Sequence, residues 1–430
     1  MPRSDTEPRL PLEIFWLIFD TLSAQEDYHT LTACMLVCRL WGSHIRRMLP
    51  IMFMLSGKPQ VARLGKHKGQ RWKGPGQVFL SGGSQASSGA KTMSIAHIGT
   101  FSAMFARRWT RIKLIRIDNG EWSAGDLRPD VFLHLSAFTS VTSLGLGVVN
   151  FSSVVFFGRL VRALPNLKSL RCEAVSFTST EFDPRVFLKD APHGGVTQLE
   201  LQFNSLSFAD ATKSLATILP HAVSYDLTVD CTNSFYVSNQ AAVLAGVQGL
   251  IQSSGSSLRK LTMQLTLKSD KGLIGRYLSV SDNTQLLILQ LSLDIYSKDT
   301  EYHWLATCLS EATSPAIAAV TLVFNLHLPM DAKEIHAAMS RLVDHCTYIN
   351  TVMELPIFSN IREFHITAKI ANVATLSSTA YPDVIRANFP SLARRGILRN
   401  FREQETLAPS LLENLHQELR VPFEKALISP

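Results

Sequence analysis

Long apolar runs are missing from this sequence. Mean hydropathy is only +0.10. The longest run, Met48 to Leu55, is eight residues and contains Pro50, against the ~20 that a membrane-spanning helix needs. No membrane association is therefore expected. Cysteine is scarce as well: six in 430 residues cannot build a disulfide scaffold. The opening MPRSDTEPRLPLE is charged and has no apolar core, so no secretory leader is expected. The thiols should then be free, in a reducing compartment, cytoplasmic and/or nuclear.

Acid is missing from one long stretch. Residues 28–117 hold 15 Lys and Arg and no Asp or Glu. Residues 1–27 and 118–430 each carry a net charge of −4, so the excess behind the overall +7 lies in those 90 residues. Such a stretch can bind polyanions, nucleic acid among them, because neutralised phosphates release counterions. Within Gly57–Lys91, however, only Trp72 and Phe79 could stack on bases. The expectation is a solvated basic linker, aided by an acidic partner protein, with nucleic acid kept only as an alternative.

Catalytic patterns are missing too. There is no G-x-x-x-x-G-K-[ST] loop, no G-x-G-x-x-G, no H-E-x-x-H and no G-x-S-x-G. Ser81-Gly82-Gly83-Ser84 lacks the Lys-Ser/Thr that would hold a phosphate and its metal. Cys34 and Cys38 could meet one metal from a helix face, but no second Cys or His pair follows nearby, so they read as core thiols. His327, His336 and His345 read as surface or capping residues, and Glu301 and Glu311 as solvent-facing charges. No catalytic residue, cofactor or metal is expected.

What is present is a chain that can bury a large core, with 46% hydrophobic and 18% charged residues. Its length suggests roughly three units, or else a repeat array or a barrel. Residues 57–94 are dominated by Gly, Ser, Lys and Gln and should be a mobile loop, cut first by trypsin near Lys66, Lys68, Arg71 or Lys73. From about Phe105 an apolar pattern h-x-x-h-x-h recurs, centred on Ile115, Leu144, Leu170, Leu199, Leu227, Leu261, Leu289, Val320 and Phe364. Most gaps hold a helical stretch: Val154–Leu164, Ala209–Leu219, Ala241–Ile251, Tyr302–Ala312 and Ala332–His345. In the last, Ile335, Met339, Leu342 and Val343 share one helix face. A strand and a helix every ~29 residues is the leucine-rich-repeat signature. Asn150 and Asn204 stand near where such repeats place a turn-forming Asn, and other repeats lack it. The expected fold class is α/β: nine parallel strands inside, helices outside, in an irregular leucine-rich-repeat-like solenoid. A conventional α/β sheet with right-handed crossovers needs the same alternation and stays open. Leu411, Leu415 and Leu419 predict a helix over Pro409–Leu419 that caps the last repeat.

The N-terminal segment LPLEIFWLIFDTLSAQEDYHTLTACMLVCRLW, residues 10–41, is the densest in apolar residues. Phe15, Ile18, Phe19 and Leu22 fall on one face of a first helix. Pro11 precedes it where its missing N–H has no partner to lose, and Glu13 suits the first turn. A second helix is predicted from about His29, with Leu31, Cys34, Cys38 and Trp41 on one face and Leu36 and Leu40 pointing away. A third short stretch covers Ser43–Leu49. Two greasy sides on so small a bundle imply that one packs inward and the other needs a partner.

Leu10-Pro11, Glu13-Ile14, Ile18, Leu22, Leu31, Cys34, Val37-Cys38-Arg39 and Trp41 resemble the F-box motif in order and spacing. ARRWTRIKLIRIDNGEW, FTSVTSLGLGVVNF and RLVRALPNLKSL look like segments of the mushroom-type fungal F-box proteins, in which an irregular leucine-rich-repeat-like array follows the motif. The Gly/Lys-rich stretch at Gly57–Ser94 departs from that set. The resemblance implies a non-catalytic receptor of an SCF-type (cullin–RING) ubiquitin ligase. It would bind the ligase adaptor, and through it a cullin, with Leu10, Pro11, Glu13, Ile14, Ile18, Leu22, Leu31, Leu36, Val37, Cys38 and Trp41, and a target protein with the array. An F-box repeat protein acting outside a ligase, or a basic repeat scaffold on nucleic acid, is the alternative. The expected domains are an F-box at 8–50, a basic linker at 51–104, the array at 105–400 and a C-terminal cap at 401–430.

Overall fold

The computed structural model describes residues 10–24, 28–35, 37–48, 52–66, 74–82, 93–122, 125, 128, 130–179, 181, 195–202, 215, 226–231, 240–267, 278–295, 302–326, 332–370 and 387–399. The chain divides into two compact units, residues 1–144 and 145–430.

The first unit opens with three helices, α1 (Leu12–Ala24), α2 (Tyr28–Met35) and α3 (Arg39–Met48). They close a small core of their own around Phe19, Leu31 and Ile45. Then follow β1 (Met52–Leu55), α4 (Lys58–Lys66), β2 (Gln77–Ser81), β3 (Met93–Ser94), α5 (His97–Phe105), β4 (Leu114–Trp122) and α6 (Asp130–Leu135). Strands β1, β2 and β4 run parallel in that order, and β3 adds to the far half of β4. Apolar residues of these strands alternate inward: Val78 and Leu80 of β2, Ile115 and Ile117 of β4. Phe101, Phe105, Trp109 and Phe138 pack beside them, with Phe101 stacked on Phe138 at 5.4 Å and Phe105 on Trp109 at 3.9 Å.

The linker expected over 51–104 is therefore corrected for its described residues. Composition concealed two short alternating runs, MFML and QVFLS, that pair as strands and bury Leu55, Val78 and Leu80. Val61 of α4 is buried as well. The unit boundary falls at 144 rather than near 105, because α5, β4 and Phe138 share this core. Lys68, Arg71 and Lys73 lie outside the described residues.

The division falls within β5 (Ser143–Phe151). The second unit continues with α7 (Val154–Ala163), β6 (Ser169–Glu173), β7 (Ser176–Phe177), β8 (Gln198–Gln202), β9 (Asp226–Asp230), α8 (Gln240–Ser254), β10 (Lys260–Leu267), β11 (Ile288–Ile295), α9 (His303–Ser310), β12 (Ala319–Leu326), α10 (Ala332–Met353), β13 (Glu363–Ile370), α11 (Pro390–Arg394) and β14 (Leu398–Arg399). Its strand order is β5-β6-β8-β9-β10-β11-β12-β13-β14, with β7 paired to β5. Every ladder from β6 to β14 is parallel. The expected repeat centres sit side by side: Leu170 pairs Leu199, then Leu227, Leu261, Leu289, Val320 and Phe364 follow in unbroken register. All seven are buried, and Leu398 on β14 extends the row.

Between strands a second regularity appears. One backbone carbonyl accepts two successive amides at the start of the next strand. Lys168 O takes Thr197 N and Gln198 N, Arg259 O takes Leu287 N and Ile288 N, Leu287 O takes Ala318 N and Ala319 N, and Ala318 O takes Arg362 N and Glu363 N. In the first unit Gly76 O serves Lys113 and Leu114 in the same way. These strands thus start at a fixed height beside their neighbours. Four residues after three of the centres the chain kinks through left-handed backbone, at Asn119, Val148 and Ala174, with φ of 52°, 53° and 51°. In β2 the same step is Gly82, where a Cβ would collide with the Asn119 carbonyl oxygen.

Helices occur where expected at 154–163, 240–254, 303–310 and 332–353. On α10 the inward face is Leu342, Cys346, Ile349 and Met353. Most of Ala209–Leu219, Asn204 and the whole of Pro409–Leu419 lie outside the described residues. Asn150 accepts the Ser176 hydroxyl at 3.1 Å from within β5, a bond between paired strands.

Candidate partner-binding site in the N-terminal helices

Helix α1 begins after Pro11, whose carbonyl accepts the Ile14 amide at 3.1 Å. Its inward face is Phe15, Trp16, Phe19 and Leu22. Trp16 stacks on His44 at 3.9 Å, Phe15 lies 4.6 Å from Trp41, and Phe19 meets Trp41 edge-on at 5.1 Å. Ile18 faces outward, and Trp16 packs in the inward stripe against α3. The single helix expected from His29 through Trp41 is two helices. Met35 ends α2 and Arg39 starts α3. Val37 N bonds Cys34 O at the turn, and the Cys38 sulfur accepts the Trp41 amide at 3.5 Å, capping the new helix. Gly42 is buried where a Cβ would stand 3.0 Å from the Met35 carbonyl oxygen, so α2 and α3 approach closely there.

The outward residues carry the chemistry. Leu10, Ile14, Leu17 and Ile18 repeat at helical spacing and are exposed, Leu10 by 59% and Leu17 by 63%. At the α2–α3 turn Val37 is 64% exposed, and Leu40 is exposed beside it. Among the described residues fourteen large apolar side chains are exposed, and half of them lie between Leu10 and Leu40. That density on a 40-residue bundle marks a surface that water should not cover.

Residues 8–51 match the F-box domain. The match spans about a tenth of the chain and includes every residue just described. F-box domains typically bind the adaptor subunit of ubiquitin ligases, and the domain suggests a role in substrate recognition for such ligases in general. No curated protein matches the chain.

Against this F-box, the expected contact residues divide. Leu10, Pro11, Glu13, Ile14, Ile18, Val37 and Cys38 are on the surface. Leu31 is fully buried, and Leu22 and Trp41 are half-buried against the core, so these three hold the domain in shape. Leu36 lies outside the described residues. Leu12, Leu17 and Leu40 are further exposed apolar residues, and the period of α1 through Leu10 and Ile14 was the signal for Leu17.

Elsewhere the described chain offers little for bond chemistry. No three His, Cys, Asp or Glu side chains among the described residues gather as metal ligands. His345 packs edge-on to His303 at 4.4 Å, and Tyr302 and Tyr348 complete that ring cluster. Burial pushes the thiols of Cys172, Cys231, Cys308 and Cys346 upward, the last two to about 12, so they stay protonated and unreactive near neutral pH. No described helix is long and apolar enough to cross a membrane.

Proposed function

We propose that the protein is the substrate-recognition subunit of an SCF-type (cullin–RING) ubiquitin ligase. The F-box docks on the adaptor, which joins it to the cullin, and the repeat array holds a target protein. The observation that carries this reading is the exposed apolar stripe Leu10, Ile14, Leu17 and Ile18 on α1, with Val37 and Leu40 at the next turn, all within the matched F-box. A surface of this kind fits the burial of apolar side chains in a partner's groove.

The array is read as leucine-rich-repeat-like, of the irregular kind that follows the motif in the mushroom-type fungal set. The register of Leu170 through Phe364 and the shared carbonyls at most strand starts support that reading. Its outward rows are polar: Arg171, Glu200, Thr228, Thr262 and Gln290 stand side by side on successive strands. In this role the protein makes and breaks no bond. It raises the effective concentration of target lysines beside the ubiquitin thioester. The site of action is cytoplasmic and/or nuclear.

Affinity purification of the full chain tests the proposal. Adaptor and cullin should co-purify, and Leu10→Ala/Pro11→Ala should weaken both together. Undiminished recovery of the adaptor with the double variant would refute the interface. Adaptor without cullin would point to an F-box protein acting outside a ligase. Comparison of ubiquitylated proteins with and without the chain then identifies the target.

A further inference from the structure

We propose that the C-terminal ends of α4 and α5, with the turn leading into β4, form a docking surface for an acidic, Asp/Glu-rich segment of a partner protein. This does not depend on the F-box reading. Arg107, Arg108, Arg111 and Lys113 lie within seven residues and are all exposed. Arg63 on α4 adds to them: a Cβ two residues later, at Gly65, would collide with Met104 near the end of α5, so the two helix ends touch. None of these five cations has a carboxylate partner among the described residues. The carboxylates nearest along the chain are Asp118, which Arg116 holds at 2.8 Å, and Glu121, further along β4.

The segment that presents the charges is fixed. Trp109 and Ile112 are buried, the amides of Arg108 and Trp109 bond the Phe105 carbonyl, and Lys113 N bonds Gly76 O at 2.7 Å. The Arg108 guanidinium sits 5.7 Å over the Phe105 ring. Little ordering is then left to pay for on binding. Favourable placement at a helix C-terminus accounts for Arg107 and Arg108. It does not account for Arg111 and Lys113, which precede a strand.

The chemistry favours carboxylates on a protein over nucleic acid. Four of the five cations are Arg, whose planar fork suits bidentate carboxylate binding. The aromatic residues of this segment, Phe105 and Trp109, are buried, and among the described residues beside them only half-buried Phe53, stacked on Trp109, offers part of a ring to a base.

The full chain should bind a fluorescein-labelled peptide of alternating Glu and Gly, measured by anisotropy, with affinity falling steeply as salt rises. Arg107→Glu/Arg111→Glu/Lys113→Glu should weaken binding by about tenfold or more, with an unchanged thermal midpoint. Arg159→Glu/Lys168→Glu, at two exposed cations of the second unit, should leave it unchanged. If charge reversal impairs folding, the corresponding Gln variants are read the same way. Wild-type affinity in the triple variant, or an equal loss in the control, would overturn the proposal. Tighter binding of single-stranded RNA of matched charge than of the peptide would overturn it in favour of a nucleic-acid surface.

Discussion

Leu17 and Ile18 precede Phe19 on the same helix, and the three should separate binding from folding. Phe19 is 1% exposed in the centre of the F-box core, whereas Leu17 and Ile18 are 63% and 44% exposed. Complete burial of one such aliphatic side chain is worth about 1.5–3 kcal/mol. Only the area still open to water can be gained on docking, so each contributes about 1 kcal/mol to the complex. Leu17→Ala/Ile18→Ala should then weaken adaptor binding by about 2 kcal/mol, roughly thirtyfold in Kd. Alanine favours a helix, so far-UV circular dichroism and hydrogen exchange over 12–48 should stay as in the wild type. Phe19→Ala should do the reverse first: it removes a core ring, costs about 3–5 kcal/mol, and opens these helices to exchange. Calorimetric titration with the purified adaptor gives the first number and exchange gives the second. Binding retained within twofold by the Leu17/Ile18 variant would refute the interface. Loss of exchange protection in that variant would show that the outward stripe is part of the core after all.

Other perturbations test the array and its edges. Leu289 is fully buried between Leu261 and Val320, so Leu289→Ala should lower stability by about 2–5 kcal/mol in a denaturant titration, and Leu199→Ala likewise. Val148 is a β-branched residue at φ 53° with its side chain exposed, so Val148→Gly should relieve strain and stabilise by about 1 kcal/mol; a lower thermal midpoint would refute that. Buried Asn283 donates to the Ile251 and Gly255 carbonyls, and Asn283→Ala should cost about 1–3 kcal/mol by removing both bonds from a buried site, as a denaturant titration would show. Buried His97 donates from Nε2 to Leu55 O, and desolvation holds its pKa below the ordinary 6.5, against the bond to Leu55 and with Lys58 adding to the lowering. The unfolded chain binds that proton more readily, so stability should fall as pH drops from 6.5 through the lowered folded value and level off below it. His97→Gln should remove that part of the pH dependence, and an unchanged slope between pH 7 and 5 would refute its origin in His97.

What could be read from the residues alone depended on whether the decisive force was local. Repeat centres were legible because a buried parallel strand needs apolar residues two apart, and this spacing stays in phase across gaps of unequal length: 34 residues separate Leu227 from Leu261 and 44 separate Val320 from Phe364, yet both pairs are in register. At most strand starts a neighbour's carbonyl fixes the height, Ala318 O at the start of β13 among them, a bond that any side chain allows and that therefore leaves no trace in sequence. The strands at 52–55 and 77–81 were missed for a related reason. Three or four apolar residues near Gly and Lys look like linker when averaged over a window, and only the pairing with β1 and β4 makes Val78 a core residue. In the F-box, the pattern gave the apolar faces of the helices but left open which of them turns inward. Phe15, Ile18, Phe19 and Leu22 fit one helical stripe, but the bundle needs the bulkier Trp16 to stack on His44, which rotates α1 about its axis and turns Ile18 to water. A periodicity identifies a helix that has an apolar face. Which of two apolar faces turns inward is decided by the shapes that meet there, and here two Trp rings against Phe19 leave the aliphatic residues outside, where a partner could reach them.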